Sequence, residues 1–205
     1  AAREIETLER RGVFRNAQTA AELLALIESR VAPIVDDRHF RVRFMGPEII
    51  ASFSEGPPSA EDMAAFHEEI RLRGGEIPEI RWLAGNVGYL RINMLLDAPP
   101  VTERLASAMS MLADTSALII DVRGAPGGEP AGVANVIGHL VTERTATVRT
   151  QERADPTSAR TFYAEPRTPA FVGPLYVLID GQTGSGAEEF AYDLQAMRRA
   201  TLVGE

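Results

Sequence analysis

A chain of 205 residues, 45% hydrophobic and 24% charged, can bury a sizeable core, and no apolar run in it reaches membrane-spanning length. Its net charge of −8 argues against nucleic acid as a partner, and the absence of cysteine removes disulfides and thiolate metal sites. Lysine is absent as well, so a Ser–Lys catalytic pair cannot be built from these residues, and arginine stays protonated at any working pH.

Ile5 and Leu8 stand among charges ahead of Gly12, which reads as a helix stop. Thr19-Ala20-Ala21-Glu22 has the spacing of a capping box and leads into Leu23, Leu24, Ile27 and Val31 at helical spacing. Pro33 is expected to close that run. Arg41-Val42-Arg43-Phe44 alternates like a short strand, and residues 46–58, rich in Pro, Gly and Ser, read as a linker or hairpin loop. Ser59-Ala60-Glu61-Asp62 caps a further helix, with Met63, Phe66 and Ile70 on one face and Gly74-Gly75 at its end. By residue type, His39 is an exposed loop histidine and His67, beside Glu68 and Glu69, belongs to a solvated face. Residues 1–75 thus read as an N-terminal helical domain with its linker.

From residue 80 the pattern changes. Residues 80–83 and 87–92 read as strands joined by the turn dipeptide Gly85-Asn86. Pro99-Pro100 introduces a helix with Leu105, Met109 and Leu112 inward. Ala117-Leu118-Ile119-Ile120 is continuously apolar, as in a strand covered on both faces. A loop containing Gly127-Gly128 comes next, and Glu129-Pro130 starts a helix with Val133, Val136, Ile137 and Leu140 inward. His139 reads as a surface or packing residue. Residues 145–150 can form a strand, and 151–170, polar with three prolines, are expected to be a long surface loop. A strand over 174–180, a helix carrying Phe190, Leu194 and Met197, and a strand from Thr201 complete an α/β pattern with a largely parallel sheet.

Ser185 sits between two glycines on the turn from the 174–180 strand into that last helix. Two readings stand side by side. Ser185 and Glu188 have the spacing of a capping box, which needs no chemistry. A serine at a helix N-terminus, where N–H groups favour developing negative charge, also suits a nucleophile. In a parallel sheet the turns after 117–122 and 174–180 gather at the carboxyl ends of the strands, where Gly127-Gly128 could present N–H groups to an oxyanion near Ser185. The alternative is a tight turn in which the glycines only relieve strain. Neither turn carries a phosphate-binding glycine motif, and Ala187 two residues after Ser185 departs from G-x-S-x-G.

The segment Asp121-Val122-Arg123-Gly124-Ala125-Pro126-Gly127-Gly128 resembles the D-L-R-x-N-x-G-G segment of the C-terminal processing (tail-specific) serine peptidases. Residues 183–191 resemble that family's nucleophile segment, and residues 199–205 resemble the stretch after it. Residues 37–43 and 85–91 are similar to recurring segments of its interphotoreceptor retinoid-binding protein-like branch. The resemblance implies a ββα-superhelix (crotonase-like) core over residues 76–205, C-terminally incomplete, after the helical domain. Residues 45–80 are too few for the PDZ domain that tail-specific members insert. It implies Ser185 as nucleophile, with oxyanion donors at Gly127 or Gly128 and at Gly186. The family's lysine base would fall a few residues past Glu205; relatives of the tricorn type use a histidine at a place similar to His39, with Asp36 or Asp37 able to orient it. Ala125 stands where the family has Asn.

The expected partner is a peptide or protein substrate, with no nucleic acid, no membrane span, no cofactor and no metal; a homo-oligomer is left open, and the family favours a periplasmic or secreted setting. The competing reading is a non-catalytic retinoid-binding-protein-like module holding an apolar ligand or peptide.

Overall fold

The computed structural model describes residues 2–35, 42, 58–152 and 155–205, and the chain divides into two compact units, Ala1–Pro58 and Ser59–Glu205. In the first, α1 (Ala2–Arg10) stops before Gly12, whose φ of 70° a glycine adopts without a Cβ penalty. Helix α2 (Ala20–Val35) starts as its capping box predicts: Glu22 N–H donates to Thr19 Oγ1 at 3.2 Å, and Gln18 N–H to the Glu22 carboxylate at 2.8 Å. It runs on past Pro33, which was expected to end it. A proline so near the C-terminus deletes one backbone donor, while Ile34 and Val35 keep theirs and can close the last turn. Residues 41, 43 and 44, read as a strand, and 46–57, read as a linker, lie outside the described residues.

The second unit opens with α3 (Ala60–Leu72). A hairpin comes next, β1 (Glu79–Leu83) and β2 (Val87–Arg91), paired antiparallel around a turn in which Gly85 and Asn86 both have positive φ. Then come α4 (Pro99–Leu112), β3 (Ala117–Asp121), α5 (Pro130–Gly138), the ribbon of β4 (Thr145–Glu152) and β5 (Asp155–Ala164), β6 (Leu175–Ile179), α6 (Gly186–Ala196) and β7 (Thr201–Gly204). The main sheet has the order β1-β2-β3-β6-β7 and is parallel beyond the first pair. Its central strand β3 carries the apolar run, as a strand covered on both faces should. Leu105, Met109 and Leu112 of α4, Val133, Val136 and Ile137 of α5, and Phe190 and Leu194 of α6 share one core with Leu90, Leu118, Ile120 and Val177.

The expected loop over 151–170 is in large part strand β5, antiparallel to β4 in a separate two-stranded sheet. The ribbon's described side chains are half-buried or exposed apart from Ala164, so the inward-facing alternation is weak. Ala164 is its buried end, while Arg144 stacks 3.4 Å over the Tyr163 ring and Arg160 4.5 Å over that of Phe162. The run Thr161-Phe162-Tyr163, β-branched and aromatic, was the available strand signal.

Candidate active site

Two strand-to-helix turns meet at the carboxyl ends of β3 and β6, which are adjacent and in parallel register. The first spans residues 122–129 and the second 180–185. Hydrogen bonds lace them together. The Asp180 carboxylate accepts Gly124 N–H at 2.9 Å from across the gap and Gln182 N–H at 3.0 Å from its own turn. Thr183 Oγ1 donates to the Val122 carbonyl at 3.1 Å, and Gly184 N–H donates to the Ala125 carbonyl at 3.0 Å. The Gly124 N–H, first among these donors, holds the Asp180 carboxyl below the usual range.

A second anchor lies at the base of the first turn. Asp121 is 0% exposed and accepts from Tyr89 Oη at 2.7 Å, Arg123 N–H at 3.0 Å, Arg123 Nε at 2.9 Å and Arg123 Nη2 at 2.7 Å. Burial alone would raise its pKa; the hydrogen bonds from Arg123 and Tyr89 outweigh it and hold the group at about 2. Neither Asp180 nor Asp121 was among the sequence-derived site residues. The spacings Asp180-x-x-Thr183 and Asp121-x-Arg123, each just after an apolar strand, were the available signals.

The glycines sit where the site needs close approach. Gly127 has φ 140°, and a methyl placed on it would stand 2.8 Å from Ser185 Cβ. Gly128 forms a parallel bridge with Leu95: Leu95 N–H donates to Gly127 O at 3.0 Å and Glu129 N–H to Leu95 O at 2.8 Å. In such a bridge successive backbone groups alternate sides, so the N–H and C=O of Gly128 turn away from Leu95. They turn toward the serine turn: a methyl on Gly186 would stand 2.9 Å from Gly128 N and 3.0 Å from Gly128 O. The backbones of Gly128 and Gly186 therefore pack against one another beside Ser185.

Ser185 itself is exposed and has φ 50°, ψ −121°, a conformation that L-residues avoid. Its N–H donates to Glu188 Oε2 at 2.8 Å, while its Oγ makes no cap hydrogen bond. Ser59, with the same local motif, differs. At φ −65°, ψ 163° its Oγ accepts Asp62 N–H at 3.1 Å, as a helix cap does. Ser59 caps its helix through its hydroxyl; at Ser185 the capping-box pairing with Glu188 is kept, carried by the Ser185 N–H, with no hydrogen bond from the helix to Oγ.

Three histidines are present. His139 is 5% exposed at the end of α5, and burial, aided by the Arg167 charge, pushes its pKa down to about 4. It is a packing residue. His67 is half-buried on α3 and faces a cleft with Arg71, Glu103 and Arg104, none of which belongs to the two turns. His39, with Asp36 and Asp37, lies outside the described residues. On α6, burial and then Asp193 raise Glu189 to about 7. Among the described residues no group of three or more His, Asp or Glu could hold a metal ion, and no helix is long and apolar enough to cross a membrane.

Residues 86–205 match the model of peptidase family S41. Among solved structures, a candidate peptidase from Parabacteroides merdae ATCC 43184 aligns with 96% of this chain and 65% of its own, at 17% identity and a TM-score of 0.62. A lipoprotein from Streptococcus agalactiae aligns with 96% of this chain and 66% of its own, at 12% identity and a TM-score of 0.51. A photosystem II D1 C-terminal processing protease aligns with 58% of this chain and 30% of its own, at 23% identity and a TM-score of 0.48. The chain thus spans 30% of that protease and 65% of the Parabacteroides protein. At these identities the likeness to solved structures is one of fold.

Proposed function

Because the chain belongs to peptidase family S41, we propose that it is a serine-type peptidase that cleaves peptides or protein C-termini with Ser185 as its nucleophile. The observation that carries the reading is the backbone of Ser185, held at φ 50°, ψ −121° on a helix N-terminus with Gly127 against its Cβ. A strained turn persists only where its surroundings over-determine it, and here Asp180, Thr183 and the Gly127-Gly128 loop supply that constraint.

In this reading Ser185 Oγ attacks the scissile carbonyl carbon while a base takes its proton. The carbonyl oxygen becomes an oxyanion that accepts from the N–H groups of Gly128 and Gly186, with Gly127 shaping the loop. The helix N-terminus adds to the field there. The tetrahedral intermediate collapses to an acyl-serine, and the leaving amine takes the proton back from the base. Water, activated by the same base, then releases the acid. Asp180 and Asp121 touch no reacting atom in this scheme; they position the two turns.

The base in this reading is His39, at the place where the resemblance to tricorn-type relatives puts one; arginine cannot accept the proton, residues 1–205 hold no lysine, and His139 is buried in the core. Ser185→Ala and His39→Ala should each abolish hydrolysis of unstructured peptides with apolar C-termini. The losses should be similar, because such residues act as a unit. A fluorophosphonate should label Ser185 in the wild type and not in Ser185→Ala. Retained hydrolysis in either variant removes that residue from the mechanism. An unlabelled, inactive wild type that saturably binds an apolar ligand would favour the non-catalytic module instead.

A further inference from the structure

A pocket of about 340 Å³ lies between α5 and the β4–β5 ribbon. Six of its residues carry the polar chemistry: Asp97, Asn135, Arg144, Arg160, Glu165 and Arg167. Arg144 and Glu165 neutralise one another at 2.7 Å. Among the described residues Arg160 and Arg167 form no ion pair. Arg160 lies over the Phe162 ring. Arg167 is aimed by Asn135: its Nη2 donates to Asn135 Oδ1 at 3.1 Å, and the amide is oriented by donating from Nδ2 to Thr102 Oγ1 at 3.3 Å. A guanidinium has five N–H donors, so most of those on Arg167 remain for a ligand. Against Asp97 the two leave a net positive pocket on a chain of net charge −8.

Its position is set by the chain. Ala131 lines the pocket three residues past Gly128, which puts their Cα atoms within about 11 Å. Asp97 lies two residues past Leu95, the bridge partner of Gly128. An extended peptide advances roughly 3.3–3.6 Å per residue.

We propose that this pocket is a substrate subsite for a carboxylate, held by Arg160 and Arg167, within about three residues of the scissile bond. The inference rests on the peptidase reading for its substrate, and on the cavity and its guanidiniums for its chemistry. The carboxylate can come from an acidic side chain or from a C-terminus, and two experimental arms separate them. In the first, peptide pairs differ by Glu or Gln at each of the three positions on either side of the cleaved bond. In the second, one peptide is supplied as its free acid and as its amide. A charge-assisted contact with a guanidinium predicts about a tenfold preference for the carboxylate at one position in kcat/KM. That preference should weaken as salt is raised to about 1 M. It should fall toward one in Arg160→Gln/Arg167→Gln, with Arg160→Gln alone intermediate and thermal unfolding verifying the fold.

Binding of the same pairs to full-chain Ser185→Ala, read by fluorescence anisotropy, separates the two readings. Hydrolysis with no charge preference at any position, or a preference that survives the double variant, overturns the subsite and leaves the peptidase. A tenfold binding preference lost in the double variant, with no hydrolysis by the wild type, upholds the pocket as a carboxylate site and overturns the peptidase.

Discussion

Gly127→Ala tests the reasoning at its tightest point. The added methyl would stand 2.8 Å from Ser185 Cβ and 3.2 Å from both Gly184 O and Gly186 N. Carbon atoms pack at roughly 3.5–4.0 Å, so the loop and the serine turn must separate by about 0.7 Å or more. The residue would also have to hold φ 140°, where a side chain costs on the order of 1–3 kcal/mol. For a chain of this size that strain lowers Tm by roughly 2–12 °C. A shift approaching 1 Å between the proposed nucleophile and the proposed oxyanion donors would cost about 10²-fold in rate. The expected result is a folded protein with kcat/KM reduced about 10²-fold, measured on a fluorogenic peptide beside a thermal melt. Gly181→Ala is the control, because its methyl would meet nothing within 4 Å, and both Tm and kcat/KM should stay at wild-type values. Wild-type kcat/KM in Gly127→Ala would refute the contact between the two turns as the determinant of activity.

The two S-x-x-[DE] motifs should separate by function: Ser59→Ala should lose about 1 kcal/mol in a denaturant titration with activity intact, whereas Ser185→Ala should lose activity with a smaller change in stability, since only Ser59 Oγ caps its helix. Glu189, raised to about 7, binds a proton more tightly folded than unfolded, so its contribution falls as pH rises from its ordinary 4.5 through 7. Glu189→Gln should therefore raise Tm at pH 8 and leave it near wild type at pH 4; equal Tm differences at both pH values would contradict this. His139, lowered to about 4 from 6.5, has the opposite sign: the unfolded chain takes its proton first, so stability is full above 6.5 and drains as pH falls toward 4. His139→Leu should flatten that part of the Tm–pH curve, and an unchanged slope would show that the imidazole does not titrate on unfolding.

Much of this molecule is written in local pattern. The apolar run at 117–120, the Gly85-Asn86 turn and the Ser59 cap each act through residues a few positions apart, and each forms as its pattern predicts. The fold class comes from the same periodicities, because alternating strands and helices bury their apolar faces in few ways. Of the ribbon, β4 was legible as a strand over 145–150; β5 escaped because its inward face is narrow and only Ala164 at its end is fully buried. The site escaped in another sense. Ser59 and Ser185 head the same four-residue motif, yet one takes the extended dihedrals of a cap and the other a left-handed strain. The difference between them comes from residues distant in sequence: Gly127 against Ser185, and Asp180 holding Gly124 from 56 positions away. A hydrogen-bonding code spanning four residues decides where a helix starts. Which of two such starts leaves its hydroxyl free is decided by the groups that the tertiary fold packs against it.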